Sequence, residues 1–139
     1  LREGAETWSF DGSAQGRIIN TLSSSDISRG QLYASSWPSV FIGGYADHVR
    51  IVRILPVGPE ELELSVEWLF EENTLNDPSY DIQNVIEFAK LVMMQDGKAC
   101  EINQLGMHST AFEHGILMPE EYLLKRFQDW IRVQLDLPG

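Results

Sequence analysis

The run LELSVEWLF, residues 62–70, constrains the fold more than any other stretch. Leu62, Leu64, Val66, Trp68 and Phe70 alternate with Glu63, Ser65 and Glu67, so apolar and polar side chains fall on opposite faces of a pleated strand. Such a strand lies against a core on one side and in water on the other, which calls for an antiparallel sheet with a cover. SVFIGGY (39–45) and HVRIVRIL (48–55) supply two more β-branched runs. The second has no clean period of two. Its short length and its flanks, Ala46-Asp47 and Pro56-Val57-Gly58-Pro59, favour a strand over a helix. Three strands joined by short turns predict a meander. Upstream, TWSF before Asp11-Gly12 reads as a strand entering a tight turn, and SSSD (23–26) reads as a loop.

The polar stretch EENTLNDPSY leads to Asp81, a plausible N-cap for a helix that starts at Ile82 and runs to about Gly106, with Gly97 as its weak point. A last helix begins at Pro119, where the missing N–H costs nothing, and Glu120 and Glu121 complement the positive end of its dipole. Leu123, Phe127, Trp130, Ile131 and Leu137 form its apolar stripe. The predicted class is α+β: an antiparallel sheet packed on a long helix, with a second helix at the C-terminus.

Several function classes conflict with the composition. A formal net charge of −11, with only ten scattered Lys and Arg, argues against nucleic acid and against an anionic membrane surface. No apolar run reaches the length of a bilayer span, and the opening LREGAETW lacks the pattern of a signal peptide. A single cysteine, Cys100, allows no intramolecular disulfide and fits a cytoplasmic location. Cys100 itself reads as a small buried hydrophobe, and the four tryptophans, Trp8, Trp37, Trp68 and Trp130, as core, with one or two of them as pocket lining the alternative. His48, at a strand start, reads as a turn or rim residue, and His108 and His114 as surface histidines.

One acid breaks the pattern of the long helix. At about 100° per residue, Val85, Ala89, Val92, Asp96 and Asn103 share a narrow sector, which places a carboxylate on an apolar stripe. A buried, unpaired carboxylate needs a cation, a set of donors or a wet cavity. From the residues alone two readings stay open: a structural Asp bonded to amides or to an arginine, and a ligand or catalytic acid facing a pocket. Glu101 projects about 140° away, so the two acids are not a working pair.

The segments TWSFDG, DHVRIVRILPVGPEELELSVEWLF and QDGKACEINQLGMHSTAFEHGILMPEEYLLKRFQDWI, taken in order, resemble the C-terminal part of the catalytic domain of Rieske-type ring-hydroxylating oxygenase alpha subunits. The most specific portion is the spacing from Gln95-Asp96 through Cys100-Glu101 to Gln104-Leu105-Gly106, and the likeness covers about residues 4–135. It implies a helix-grip fold of the START/Bet v 1 type. It also implies that Asp96 is the carboxylate of a two-histidine, one-carboxylate mononuclear Fe(II) site. Ala89, Val92 and Met93 would then shape the substrate pocket, and Asn103 would stand in a second shell behind the acid. The intact enzyme would also carry a [2Fe–2S] cluster, take electrons from a ferredoxin or reductase, use O₂ on a small organic substrate, and assemble as a homotrimer.

One cysteine cannot ligate a Rieske cluster, and the family's iron histidines lie upstream of the segment matching TWSFDG. The whole of residues 1–139 is therefore expected to be part of one catalytic domain, inactive alone. The rival reading is a START-like module that carries a hydrophobic ligand without chemistry, with Asp96 a structural acid.

Overall fold

The computed structural model describes residue 1 and residues 3–137. The chain divides into two compact units, Leu1–Ile102 and Asn103–Gly139.

The first unit contains a short helix, α1 (Ser24–Arg29), a four-stranded antiparallel meander, β1 (Leu32–Ser36), β2 (Val40–Gly44), β3 (His48–Gly58) and β4 (Glu61–Phe70), a single-turn helix, α2 (Glu72–Leu75), and most of a long helix, α3 (Ile82–Met107). The α+β class and the long helix match the expectation, and the sheet gains a fourth strand, β1. SSSD is not a loop. Ser23 caps α1, accepting from the Asp26 amide while the Asp26 carboxylate accepts from the Ser23 amide, so a reciprocal box turns a polar run into a helix start. TWSF forms no strand. Residues 7–12 loop back on themselves, with the Glu6 and Thr7 amides both donating to the Gly12 carbonyl. Gly12 sits at φ 84°, in the left-handed region that favours glycine, so the turn expected at Asp11-Gly12 is present without the strand before it.

The register of β3 against β4 places His48 opposite Phe70, Arg50 opposite Trp68, Val52 opposite Val66 and Ile54 opposite Leu64. These pairs share one face of the sheet. That face is enclosed only at the β3 start: His48 is fully buried and Arg50 is 9% exposed, whereas Leu62 and Leu64 on the far half of the hairpin are exposed. The expected apolar face of LELSVEWLF exists, but its cover reaches only its last residues.

The cover is Trp8. Its ring meets Tyr45 on the sheet side at 6.4 Å and Phe88 of α3 at 5.0 Å, edge to face. Phe10 adds a second edge contact to Phe88 at 5.3 Å, and its amide donates to Asn84 Oδ1 at 3.0 Å. Beneath this segment Val85 and Ala89 are completely buried, and enclosing Val85 contributes about 1.5–3 kcal/mol. None of the four tryptophans is fully buried. Trp8, Trp68 and Trp130 are half-buried and Trp37 is exposed, because an aromatic this large bridges layers more readily than it disappears between them.

The second unit holds the last residues of α3, a 3₁₀ turn at Pro119–Glu121 and α4 (Tyr122–Gln134). The start at Pro119 is as expected, with the Met118 amide donating to Glu121 Oε2 at 2.7 Å. Along α4, Phe127 and Trp130 stack at 6.2 Å and Arg126 lies over Tyr122 at 5.6 Å. Leu137 falls beyond the helix end. Among the described residues, no helix is long and apolar enough to cross a membrane.

Candidate functional site

Helix α3 carries the acid singled out from the sequence, and the burial of its stripe decays toward it. Val85 and Ala89 are buried, Val92 and Met93 half-buried, Asp96 exposed. The expectation of an acid sunk in an apolar interior is therefore corrected. The segment at Trp8 and Phe10 spans only the first two turns of the helix, and at 1.5 Å per residue Asp96 lies roughly 12 Å past Phe88, beyond that cover. The Asp96 carboxylate makes no hydrogen bond or ion pair with any described residue, so the arginine-locked alternative is absent and both its oxygens are available.

Asn103 lies in the second unit, and its amide nitrogen reaches Met107 Sδ, one turn on, at 3.9 Å. His108 and His114 are exposed, as expected. Cys100, expected to be buried, is exposed on the same uncovered half of α3. Among the described residues no three of His, Cys, Asp and Glu converge as a metal cage.

The strongest polar constellation lies at the start of β3, around His48. Asp47, fully buried, accepts from Thr7 Oγ1 at 2.6 Å, from the Gln15 amide at 2.8 Å and from His48 Nδ1 at 2.8 Å. Because an ionised carboxylate only accepts, Nδ1 carries the proton in that bond. Burial pushes the Asp47 carboxyl up, but the bonds from His48 and Thr7, the His48 charge and the Gln15 amide outweigh it and hold the group below the ordinary carboxylate range. His48 is no rim residue. Its ring stacks on Tyr45 at 4.5 Å and leans on Phe70 at 5.3 Å, and its Nε2 is buried without a partner. Tyr45 accepts or donates to the Tyr33 hydroxyl at 3.0 Å, and burial followed by that bond raises its phenol well above the usual range despite the opposing Arg50 charge.

Arg50 places its guanidinium 4.1 Å from the centre of the Trp8 ring and 5.8 Å from that of Tyr45. In the observed register His48, Arg50, Val52 and Ile54 share one face of β3 and meet Phe70 and Trp68 across the strand, a placement that the unalternating run 48–55 does not announce. Beside it, a cavity of about 370 Å³ is walled by Thr7, Trp8, Ser9, Phe10, Tyr33 and Phe88 among others. Ala89, Val92 and Met93 are not in that wall. Phe88 is the residue of α3 that reaches it.

A family model described as "Ring hydroxylating alpha subunit (catalytic domain)" matches residues 1–137. Among curated proteins, a choline monooxygenase of Atriplex hortensis is 29% identical over 100 residues, covering 71% of this chain and 23% of its own length. A glycine betaine monooxygenase oxygenase subunit of Chromohalobacter salexigens is 27% identical over 130 residues, covering 92% of this chain and 29% of its own. The counterpart from Pseudomonas aeruginosa is 23% identical over 133 residues, 94% of this chain and 30% of its own length. The chain thus spans less than a third of these relatives. A match to the catalytic domain of an enzyme favours the oxygenase reading over a ligand carrier. With the family model matched from end to end of the described residues, this chain belongs to the catalytic domain of the Rieske-type ring-hydroxylating oxygenase alpha subunits.

Proposed function

We propose that the chain is the C-terminal segment of an oxygenase catalytic domain in which Asp96 is one ligand of a mononuclear iron. The observation that carries this is the unengaged Asp96 carboxylate, on the same sector of α3 as buried Val85 and Ala89, in a chain matched throughout to this family. Two histidines from the part of the longer relatives that this chain does not span would complete the set. Fe(II) held on one face by three protein ligands supplies open positions for O₂ next to substrate. Alone, the segment holds no cluster and does not turn over.

The chemistry is proposed to be monooxygenation of a small organic molecule, with electrons from NAD(P)H delivered through a reductase or ferredoxin and a [2Fe–2S] cluster, in a homotrimer. The relatives' names, choline and glycine betaine monooxygenase, support a small methylated ammonium compound as substrate. Aromatic ring faces attract such a cation, at about 0.5–2 kcal/mol per good contact, and Phe10, Tyr33 and Phe88 line a cavity about two turns of α3 before Asp96. What this chain's own residues contribute is the placing of the acid: the buried half of α3, held at Val85 and Ala89, sets where Asp96 stands.

Asp96→Ala in the full-length protein is the direct test, read as iron per subunit beside the unfolding midpoint of the iron-free protein. Iron is expected to be lost while the midpoint stays within about 0.5 kcal/mol of wild type, because the side chain is exposed and unpartnered. Unchanged iron content overturns the assignment.

A further inference from the structure

We propose that Arg50, with the Trp68 indole N–H beside it, is a receptor for the carboxylate group of a small organic ligand. The identification of that ligand as substrate rests on the oxygenase reading above; the receptor does not.

Arg50 is a cation with 9% of its surface open, and its guanidinium has no hydrogen bond or ion pair with any described residue. Its Nε is wholly buried and unpartnered. Asp47 is the buried carboxylate among the described residues, and its oxygens are taken by Thr7, His48 and Gln15. The Trp8 face, 4.1 Å away, compensates part of the loss of water, but a ring quadrupole neutralises no charge.

A second buried donor stands alongside. Trp68 is the direct cross-strand partner of Arg50 and lies on the same face of the sheet, and its Nε1–H is also buried without an acceptor. Two enclosed donors on cross-strand partners, one of them charged, suit one acceptor with several lone pairs and a negative charge. A water molecule satisfies the indole without neutralising the guanidinium. A carboxylate does both, and its two oxygens suit the planar fork of arginine. The Trp8 indole that lies under Arg50 is also part of the wall of the aromatic cavity.

The test uses the full-length protein, without O₂ or reductant, and two calorimetric probes that share a trimethylammonium group: glycine betaine, which carries a carboxylate, and choline, which carries a hydroxyl. Wild-type protein is expected to bind glycine betaine at least about tenfold more tightly than choline, as a charge-assisted fork provides. Arg50→Gln is expected to bring the two affinities together by weakening glycine betaine alone. Arg50→Lys, which keeps the charge and loses the fork, and Trp68→Phe should each reduce the preference in part. These two variants carry the test if Arg50→Gln does not fold. No preference in the wild type, a preference that survives Arg50→Gln, or an equal loss of both probes overturns the proposal, the last marking Arg50 as a purely structural cation. The Asp96→Ala iron measurement is independent: retained iron with an Arg50-dependent carboxylate preference refutes the iron ligand and leaves the receptor standing.

Discussion

Asp47→Ala is the most demanding perturbation of the fold. It deletes the acceptor on which the Thr7 hydroxyl, the His48 ring and the Gln15 amide converge at 2.6–2.8 Å. Leaving a buried donor unpaired costs about 1–3 kcal/mol, so three of them set a ceiling of about 9 kcal/mol. Local relaxation and water entry lower that figure, and removing one partner of a buried ionic network typically costs about 3–5 kcal/mol, which is the expected loss. Urea unfolding followed by tryptophan emission measures it, since Trp8 contacts the same cluster through Tyr45. Acid provides a second arm. The folded Asp47 carboxyl lies below its unfolded value, so its contribution is fully present above the ordinary carboxylate range and disappears as pH falls through the folded value. Wild-type stability should therefore drop in acid through this group, and Asp47→Asn, uncharged at every pH, should lack that component of the drop. A loss below about 1 kcal/mol for Asp47→Ala, or an identical acid profile for Asp47→Asn, would refute the account of a charged, donor-satisfied carboxylate.

Other expectations are narrower. A Cβ at Gly16 would meet Thr74 Cγ2 at 2.9 Å, and Thr74 Oγ1 accepts the Arg17 amide, so Gly16→Ala should destabilise by about 1–3 kcal/mol in the same urea assay. Ser23→Ala removes the cap of α1 and should cost about 1 kcal/mol, seen as faster amide exchange confined to that helix. Tyr33→Phe deletes a bond that raises the Tyr45 phenol, so ultraviolet titration should find Tyr45 ionising at lower pH than in the wild type, though still above an ordinary tyrosine because burial is the larger cause. Lys98→Ala breaks an exposed pair with Glu101 and should change stability by no more than about 0.5 kcal/mol.

The elements legible in the sequence were those whose signal is local. The alternation of residues 62–70 marked β4, and the proline at position 119 marked the turn into α4. Ser23 to Asp26 also carried a local signal, a capping box, but one turn of polar helix has no apolar period to announce it. What the sequence concealed depends on which surfaces meet. His48 looks like a rim residue until the loop at Trp8 folds over the start of β3, and no pattern along the chain records that contact forty residues apart. Asp96 shows the converse. Helical counting placed it correctly on the sector of Val85 and Ala89, but periodicity gives direction around an axis and says nothing about how far along that axis the cover extends.

The aromatic clamp at Phe88 has a mechanical consequence. The root of α3 is fixed edge-on by Trp8 and Phe10, and Asp96 stands about two turns further along the same helix. A lever magnifies small rotations at its root. A substitution that rocks Phe88 by a fraction of an ångström therefore displaces the carboxylate further than one made beside the acid itself.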